Sequence, residues 1–287
     1  MTDKLVTVII PTFNCESTIR SAIESILAQT YNNLEVIVVD DNCTDKTASI
    51  VEEMCKSDKR LKIIKTEIID PKRFHRKLKR NINAGYSARN TGLKYAKGQY
   101  ITFQDADDIS LLNRIEIQVE LLEQYKADHI TTDWIKLNER FLGKKIDFKK
   151  FIDEIGLITI TPNELYDLAE KTKGILMKTL GHWHKYIPFN IKRMRFINRS
   201  FFGSVTPYPG VTGIPLFKKE ITEKVKFRKL SERIWPSFMG RGADRDFSFQ
   251  VVEIFKNSYV FYIPLYMWRV RNDNPRYPNG INKYIIN

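Results

Sequence analysis

Three carboxylates stand within four residues at the end of an apolar, β-prone run, Tyr100-Ile101-Thr102-Phe103-Gln104-Asp105-Ala106-Asp107-Asp108. Ligands of α/β proteins gather at the carboxyl ends of strands, so an acidic cluster at such a place favours a divalent-cation site. A cation held there would serve phosphate chemistry. The alternative is that Asp107 and Asp108 cap a helix beginning near Leu111, because aspartate is a favoured N-cap residue. The stretch alone leaves both interpretations open.

The elements that must position this cluster are predicted from apolar runs and helical spacing. Continuous apolar segments at 5–10, 34–39 and 61–65 are typical of strands buried on both faces of a parallel sheet, with helices between them. Later patterns predict, in order, a helix from Ser87 capped by Gly98, a strand at 129–134, a helix starting at Thr161-Pro162, a helix after Gly242 and a strand at 259–266. The alternation predicts an α/β fold. A Gly-x-Gly-x-x-Gly turn does not follow the first strand, which disfavours dinucleotide binding.

Composition bounds the class of protein. The 287 residues are 43% hydrophobic, which is typical of a globular protein. The formal net charge of +13 suits an anionic partner, which could be nucleic acid, a membrane surface or a phosphorylated substrate. Three cysteines, Cys15, Cys43 and Cys55, lack metal-finger spacing and are interpreted as reduced packing residues. We expect no membrane span and no cleaved signal peptide, and therefore a cytoplasmic protein. The basic segment from Lys72 to Arg80 is either a solvated loop or a phosphate or membrane contact.

Five short motifs stand in a fixed order: Pro11-Thr12-Phe13-Asn14, Val39-Asp40-Asp41-Asn42, Ala88-Arg89-Asn90, Asp105-Ala106-Asp107-Asp108 and Ala243-Asp244-Arg245-Asp246-Phe247. Together they resemble family 2 inverting glycosyltransferases of the GT-A fold, which has a mixed, mostly parallel central sheet flanked by helices. The resemblance covers residues 5–130 and 213–270. It implies transfer of a sugar from a nucleotide-diphosphate donor to a glycan or lipid-linked acceptor, assisted by Mn²⁺ or Mg²⁺, in bacterial surface polysaccharide, lipopolysaccharide or capsule synthesis.

The resemblance also assigns residues to the donor and its metal: Pro11, Thr12, Phe13, Asp41, Arg89, Asp105, Asp107 and Asp108. The first three would form the wall of the base pocket. Asp41 would accept the N3–H of uracil, which cytosine lacks, so UDP is the expected nucleotide. Arg89 would contact the base or the diphosphate, where its forked donors suit phosphate oxygens. Asp107 would coordinate the metal, with Asp105 on the ribose or a metal-bound water and Asp108 as a further ligand or a helix cap.

An inverting transferase needs a base for the proton of the attacking hydroxyl. The resemblance places this role on Asp244, in a motif whose usual glutamate is here Ala243, and Asp246 is the alternative. The segment 181–213 is rich in aromatic and basic residues and suits an acceptor wall. Its candidates for acceptor contact are His182, Trp183 and His184; Arg269 and Arg271, after the last strand, are further candidates for substrate contact.

The predicted organisation is a nucleotide-sugar-binding half at 1–130, an acceptor-binding half with the base at 131–270, and a tail at 271–287. The charge also suits peripheral contact with anionic lipid at the inner face of the membrane. One alternative is a sugar nucleotidylyltransferase, although the Gly-rich N-terminal loop of that class is absent from 11–16. The other is a basic nucleic-acid-binding protein, which leaves the ordered aspartate motifs unexplained. We therefore expect no nucleic-acid partner.

Overall fold

The structure is a computed structural model that describes residues 3–66, 74–75, 80–81, 85–172, 191, 215–229, 243–270 and 272–287. The strands are β1 Val6–Thr12, β2 Leu34–Asp40, β3 Leu61–Lys65, β4 Phe74–His75, β5 Arg80–Asn81, β6 Tyr100–Phe103, β7 Ile109–Ser110, β8 His129–Lys136, β9 Lys145–Ile146, β10 Thr159–Ile160, β11 Leu216–Lys218, β12 Ser258–Trp268 and β13 Ile285–Ile286. The α-helices are α1 Ile19–Leu27, α2 Thr47–Ser57, α3 Tyr86–Tyr95, α4 Arg114–Gln124, α5 Phe148–Ile155, α6 Pro162–Thr172, α7 Ile221–Lys224 and α8 Ala243–Phe255. Short 3₁₀ turns lie at Glu139–Phe141 and Asn282–Tyr284.

The central sheet has the strand order β10-β12-β8-β11-β6-β1-β2-β3, with β7 paired to β12. Strand β1 is parallel to β2 and β6, β2 is parallel to β3, and β12 is parallel to β8. Strand β11 runs antiparallel between β6 and β8. The sheet is therefore mixed and mostly parallel, as predicted. The carboxyl ends of β1, β2, β6, β8 and β12 consequently lie along one edge.

Apolar runs form buried strands because both faces of the sheet are covered. Alternate residues of β1 point to opposite faces: Val8 and Ile10 belong to a cluster that includes α1, α2 and α4, whereas Ile9 belongs to one that includes α3, α7 and α8. All three side chains are fully buried. This burial on both faces explains why the strand sequences are continuously apolar rather than alternating between apolar and polar residues.

Two predicted helix boundaries are wrong. Helix α4 begins at Arg114 with Asn113 at the N-cap position, and β7 separates it from Asp108, so neither Asp107 nor Asp108 caps it. Helix α3 ends at Tyr95, so the C-cap is Ala96 rather than Gly98. Gly98 has another role. A Cβ at this position would lie 2.6 Å from the Thr7 nitrogen and 2.7 Å from the Leu5 oxygen, so only glycine allows the chain to approach β1 this closely.

The C-terminal segment packs on the sheet. The buried Asp133 carboxylate accepts hydrogen bonds from Arg276 at 2.9 Å, Tyr277 at 3.2 Å and Asn274 at 3.1 Å.

The division into 1–130, 131–270 and 271–287 stays a prediction. Within the described residues, no helix combines the length and apolarity needed to cross a membrane.

Acid should destabilise the fold through His129, the first residue of β8. Its imidazole is fully buried, its ring centre lies 6.4 Å from that of Phe217, and neither ring nitrogen has a hydrogen-bond partner among the described residues. Burial lowers the pKa of His129 to about 3. The unfolded chain titrates near pH ~6.5, so between these values it binds one more proton than the folded chain, and stability falls as pH falls.

We expect wild type to lose about 2 kcal/mol more than His129→Leu between pH 7 and pH 5, at about 1.4 kcal/mol for each pH unit below the unfolded pKa. Urea unfolding at the two pH values measures this difference. Phe217→Leu is the matched control, because it changes packing against the ring and leaves the titrating group in place. Equal pH dependence in wild type and His129→Leu would contradict the prediction.

Candidate functional site

The carboxylate cluster forms a turn directly after β6, and each carboxylate has a different environment. Asp105 forms an ion pair with Arg89, whose Nη2 lies 2.7 Å from its Oδ1. Asp108 is buried, and its two oxygens accept hydrogen bonds from the Tyr266 hydroxyl and the Arg269 backbone N–H, both at 2.8 Å. Asp107 is exposed, and no described residue bonds to its carboxylate. The turn thus presents one carboxylate to solvent and anchors two.

Burial and neighbouring negative charges raise the pKa values of Asp105 and Asp108 in this turn. Burial raises the pKa of Asp108 to about 8, and the charges of Asp105 and Asp107 add to the rise. Partial burial also raises the pKa of Asp105; the charge of Arg89 opposes that rise, while those of Asp107 and Asp244 add to it. The charge of Asp244, at the start of helix α8, thus acts on the turn. The site is therefore a concentration of negative charge that a cation would stabilise.

The carboxylates of the turn would suit a divalent metal ion that is bound together with phosphate groups. Among the described residues, no three His, Cys, Asp or Glu side chains converge as a metal cluster. Both oxygens of Asp108 accept hydrogen bonds from Tyr266 and Arg269, so this carboxylate anchors the turn, and its role as a further ligand stays a prediction. Magnesium bound with substrate phosphates takes only one or two protein carboxylates. Asp107 can supply one, and Asp105 lies beside it.

Arg89 lies on α3 beside two aromatic rings. Its guanidinium carbon is 6.0 Å from the centre of the Phe103 ring and 5.7 Å from that of Phe227. The next residue, Asn90, donates to the Phe227 carbonyl at 2.8 Å and accepts from the Phe227 N–H at 3.0 Å. This pair of bonds joins α3 to the segment before α8, across 137 positions of sequence. The guanidinium is held in place beside Asp105.

The predicted base pocket lies at the ends of β1 and β2. Asp41 is buried; its N–H donates to the Thr12 carbonyl at 2.9 Å and its Oδ1 accepts from the Thr66 hydroxyl at 3.1 Å. Asp41 does not cap α2; the N–H of Thr47, the first residue of that helix, donates instead to the carboxylate of Asp45. Pro11 and Phe13 flank Thr12 and are partly exposed. The fold therefore brings Asp41 next to the three residues predicted to share its pocket.

The first turn of α8 separates the two candidate bases. Asp244 is exposed. Asp246 is fully buried, and its two oxygens accept hydrogen bonds from Arg228 at 2.8 and 2.6 Å. A carboxylate engaged in this way holds its helix in place and is poorly suited to take a proton from a substrate. The exposed carboxylate of Asp244 is therefore the better placed of the two to contact a bound substrate.

Not every predicted residue can be placed. His182, Trp183, His184, Arg271 and most of the segment Lys72 to Arg80 lie outside the described residues. Arg269 is described, and its Nε donates to the Asp107 carbonyl at 2.9 Å. Sequence reasoning missed Tyr266 and Arg228. Neither has a local pattern that could have revealed it, because each acts on an aspartate that only the fold brings near.

The matched family is described as glycosyl transferase family 2, and its model covers residues 7–205. The chain is 31% identical over 193 residues to the glycosyltransferase GlyA of Streptococcus pneumoniae, aligning 64% of this chain with 25% of that protein. It is 34% identical over 167 residues to the Escherichia coli UDP-Glc:alpha-D-GlcNAc-diphosphoundecaprenol beta-1,3-glucosyltransferase WfgD, aligning 56% of this chain with 60% of that one. The chain thus spans a quarter to three fifths of these relatives.

Two solved structures show the same fold. S. aureus TarS 1-349 in complex with UDP-GlcNAc superposes with a TM-score of 0.54 at 17% identity, covering 94% of this chain and 59% of that one. The mannosyltransferase PcManGT from Pyrobaculum calidifontis, in complex with GDP-Man and Mn²⁺, gives a TM-score of 0.52 at 18% identity, covering 93% and 57%. The fold is GT-A, as the motifs predicted.

The Arg228 to Asp246 pair should stabilise the fold. Arg228→Met leaves a fully buried carboxylate without its charged partner, so we expect a loss of about 3 kcal/mol or more in the free energy of unfolding. The double variant Arg228→Met with Asp246→Leu should recover most of that loss. The control is Arg20→Ala, which breaks the exposed pair with Glu53 and should cost about 0.5 kcal/mol or less. Urea unfolding measures all three, and similar costs for Arg228→Met and Arg20→Ala would refute the assignment.

Proposed function

The chain belongs to glycosyl transferase family 2, and from this membership we propose that it is an inverting glycosyltransferase. It transfers a sugar from a nucleotide-diphosphate donor, UDP-linked, to a hydroxyl of a glycan or lipid-linked acceptor in surface polysaccharide synthesis. The observation that carries the proposal is the convergence of exposed Asp107, the Arg89 to Asp105 pair and exposed Asp244 near one edge of the sheet. Family membership disfavours both the nucleotidylyltransferase and the nucleic-acid-binding alternatives.

The donor occupies the β1 and β2 ends of this edge. Asp41 accepts the N3–H of uracil in a pocket walled by Pro11, Thr12 and Phe13. Arg89 lies between that pocket and the carboxylate turn, where its guanidinium donates to the diphosphate. Asp107 would hold Mn²⁺ or Mg²⁺, and Asp105 beside it would contact the ribose or the hydration shell of the ion. A bound ion supplies charge neutralisation to the departing nucleotide. The support from similar proteins is that PcManGT was solved with Mn²⁺.

The chemical step is a direct displacement. The acceptor oxygen attacks the anomeric carbon, the bond from that carbon to the diphosphate oxygen breaks, and the hydroxyl proton passes to Asp244. Asp246 does not take this proton in the proposal, because Arg228 donates to both of its oxygens. Attack from the face opposite the leaving nucleotide inverts the configuration at the anomeric carbon.

The acceptor is proposed to be a sugar linked through diphosphate to a lipid. The support is the name of the relative WfgD, whose acceptor is a GlcNAc-diphosphoundecaprenol. A lipid-linked acceptor requires the enzyme to work at a membrane surface, and the net charge of +13 suits peripheral contact with anionic lipid.

Nucleotide release from a panel of sugar nucleotides, with Mn²⁺, Mg²⁺ or EDTA, tests the donor site. We expect one UDP-sugar to be turned over with metal and none with EDTA. With acceptor present, Asp107→Ala and Asp244→Asn should each lower turnover by about 10²- to 10⁴-fold, and Asp107→Ala alone should also weaken binding of UDP with Mn²⁺. The control is Asp153→Asn, an exposed aspartate on α5. Failure of wild type to bind any nucleotide would exclude the proposed function.

Membrane contact has a separate test. The chain should float with vesicles containing anionic lipid and stay behind with neutral vesicles, and the difference should shrink as salt screens the charges. Neutralising the lysines and arginines from Lys72 to Arg80 tells whether this segment contributes. Equal flotation with both vesicle types would contradict the electrostatic contact.

A further inference from the structure

Two tryptophans meet where β8 and β12 end, next to the carboxylate turn. The rings of Trp134 and Trp268 are perpendicular, with centres 5.0 Å apart. Trp134 is partly buried against the cluster that contains Tyr266 and Ala243, whereas Trp268 is 39% exposed. Trp268 therefore presents part of its indole ring to solvent beside the turn. The pair is an aromatic surface whose function neither the family motifs nor the donor site explains.

The position of Trp268 relative to the turn is fixed. Residues on both sides of Trp268 bind Asp108: the Tyr266 hydroxyl and the Arg269 backbone N–H each donate a hydrogen bond to that carboxylate. The Trp268 carbonyl accepts a hydrogen bond from Leu137 of the β8 side at 2.9 Å. Two residues along a strand span about 6.6 Å and share one face, so Trp268 lies one such step beyond Tyr266 toward solvent.

The strand order places the surface formed by Trp134 and Trp268 away from the base pocket. The base pocket is at β1 and β2, the carboxylate turn follows β6, and the two tryptophans are at β8 and β12, on the other side of β6 from the base pocket. Tyr266 shares a buried cluster with Ala243, so the face that carries Trp268 is also the face against which the Asp244 helix packs. In a displacement with inversion, the acceptor approaches opposite the leaving nucleotide. We take the acceptor side to be that of Trp134 and Trp268, because these two residues lie across β6 from the base pocket.

The surroundings of Trp268 suit a sugar ring better than an acyl chain. Lys136 is its register partner on β8 and lies 3.9 Å from the exposed Asp273 carboxylate, and Arg269 follows it directly. One apolar ring bordered by charged and polar groups matches a pyranose, which has an apolar C–H face and a rim of hydroxyls. An acyl chain would instead require a continuous apolar patch.

We propose that Trp268, supported edge-on by Trp134, is the surface on which the sugar ring of the acceptor stacks. The inference rests on the proposed function and extends it by assigning an acceptor subsite at β8 and β12. Covering the indole ring with the apolar C–H face of the sugar should change affinity about 10-fold or more.

The test uses an α-N-acetylglucosaminyl diphosphate with a short alkyl chain as the acceptor probe. Calorimetry measures its binding to the enzyme saturated with UDP and Mn²⁺. Trp268→Ala should weaken probe binding about 10-fold or more, and Trp268→Phe, which keeps a flat ring, should weaken it by about 3-fold or less. Both variants should bind UDP with Mn²⁺ as wild type does. Tyr95→Ala is the matched control, because Tyr95 is 44% exposed at the end of α3 and should change neither affinity.

Each other outcome overturns the assignment. Unchanged probe affinity in Trp268→Ala removes the stacking role, and a loss of UDP affinity in the same variant assigns the ring to the donor. Octyl phosphate that competes with the probe only when Trp268 is present would make the surface a lipid site. A wild-type chain that binds UDP but not the probe overturns this inference alone, whereas a chain that binds no UDP overturns the proposed function as well.

Discussion

Electrostatic repulsion within the turn Asp105–Asp108 is the constraint on which the rest of the site depends. Three carboxylates within four residues repel one another, so the turn is stable only where each charge is paired, neutralised or solvated. The fold meets this need for each carboxylate: Arg89 pairs with Asp105, the Tyr266 hydroxyl and the Arg269 N–H donate to Asp108, and Asp107 faces solvent. The Tyr266 hydroxyl donates to Asp108 and accepts the Asp105 N–H at 3.3 Å, so one strand-end tyrosine joins both ends of the turn.

The two halves of the site are connected by a second chain of contacts. Asn90 on α3 holds both backbone groups of Phe227, the next residue Arg228 binds Asp246, and Asp246 lies two residues after Asp244 in the first turn of α8. The element that carries Arg89 and the element that carries Asp244 are therefore positioned by one continuous set of hydrogen bonds. A displacement needs the leaving group and the base to be held together with little freedom, which this arrangement supplies.

The sequence predicted the parts of this structure that depend on local physics. Strands buried on both faces need continuous apolar runs, so β1, β2 and β3 were found within a residue or two. The helix at Thr161 was found from its cap, and Glu164 indeed accepts the Thr161 N–H at 2.8 Å. What the sequence could not reveal are contacts made by the fold. The motif predicts Asp108 as a ligand or a cap, and nothing local indicates its hydrogen bond with Tyr266, which lies 158 positions away. Asp246 looked like a possible base for the same reason, since nothing local distinguishes it from Asp244.

Two aspartate motifs of the site follow one rule. In Asp107-Asp108 the second carboxylate is buried and bonded, and the first is exposed; in Asp244 and Asp246 the arrangement is the same, with Arg228 as the partner. A buried carboxylate with charged or multiple hydrogen-bond donors fixes the backbone, because leaving it unpaired is costly. The exposed neighbour then keeps a defined position, and no described residue pairs with its charge. Substitution of an anchoring aspartate should therefore affect both stability and the geometry of its neighbour, whereas substitution of an exposed one should affect ligand binding or chemistry and leave stability nearly unchanged.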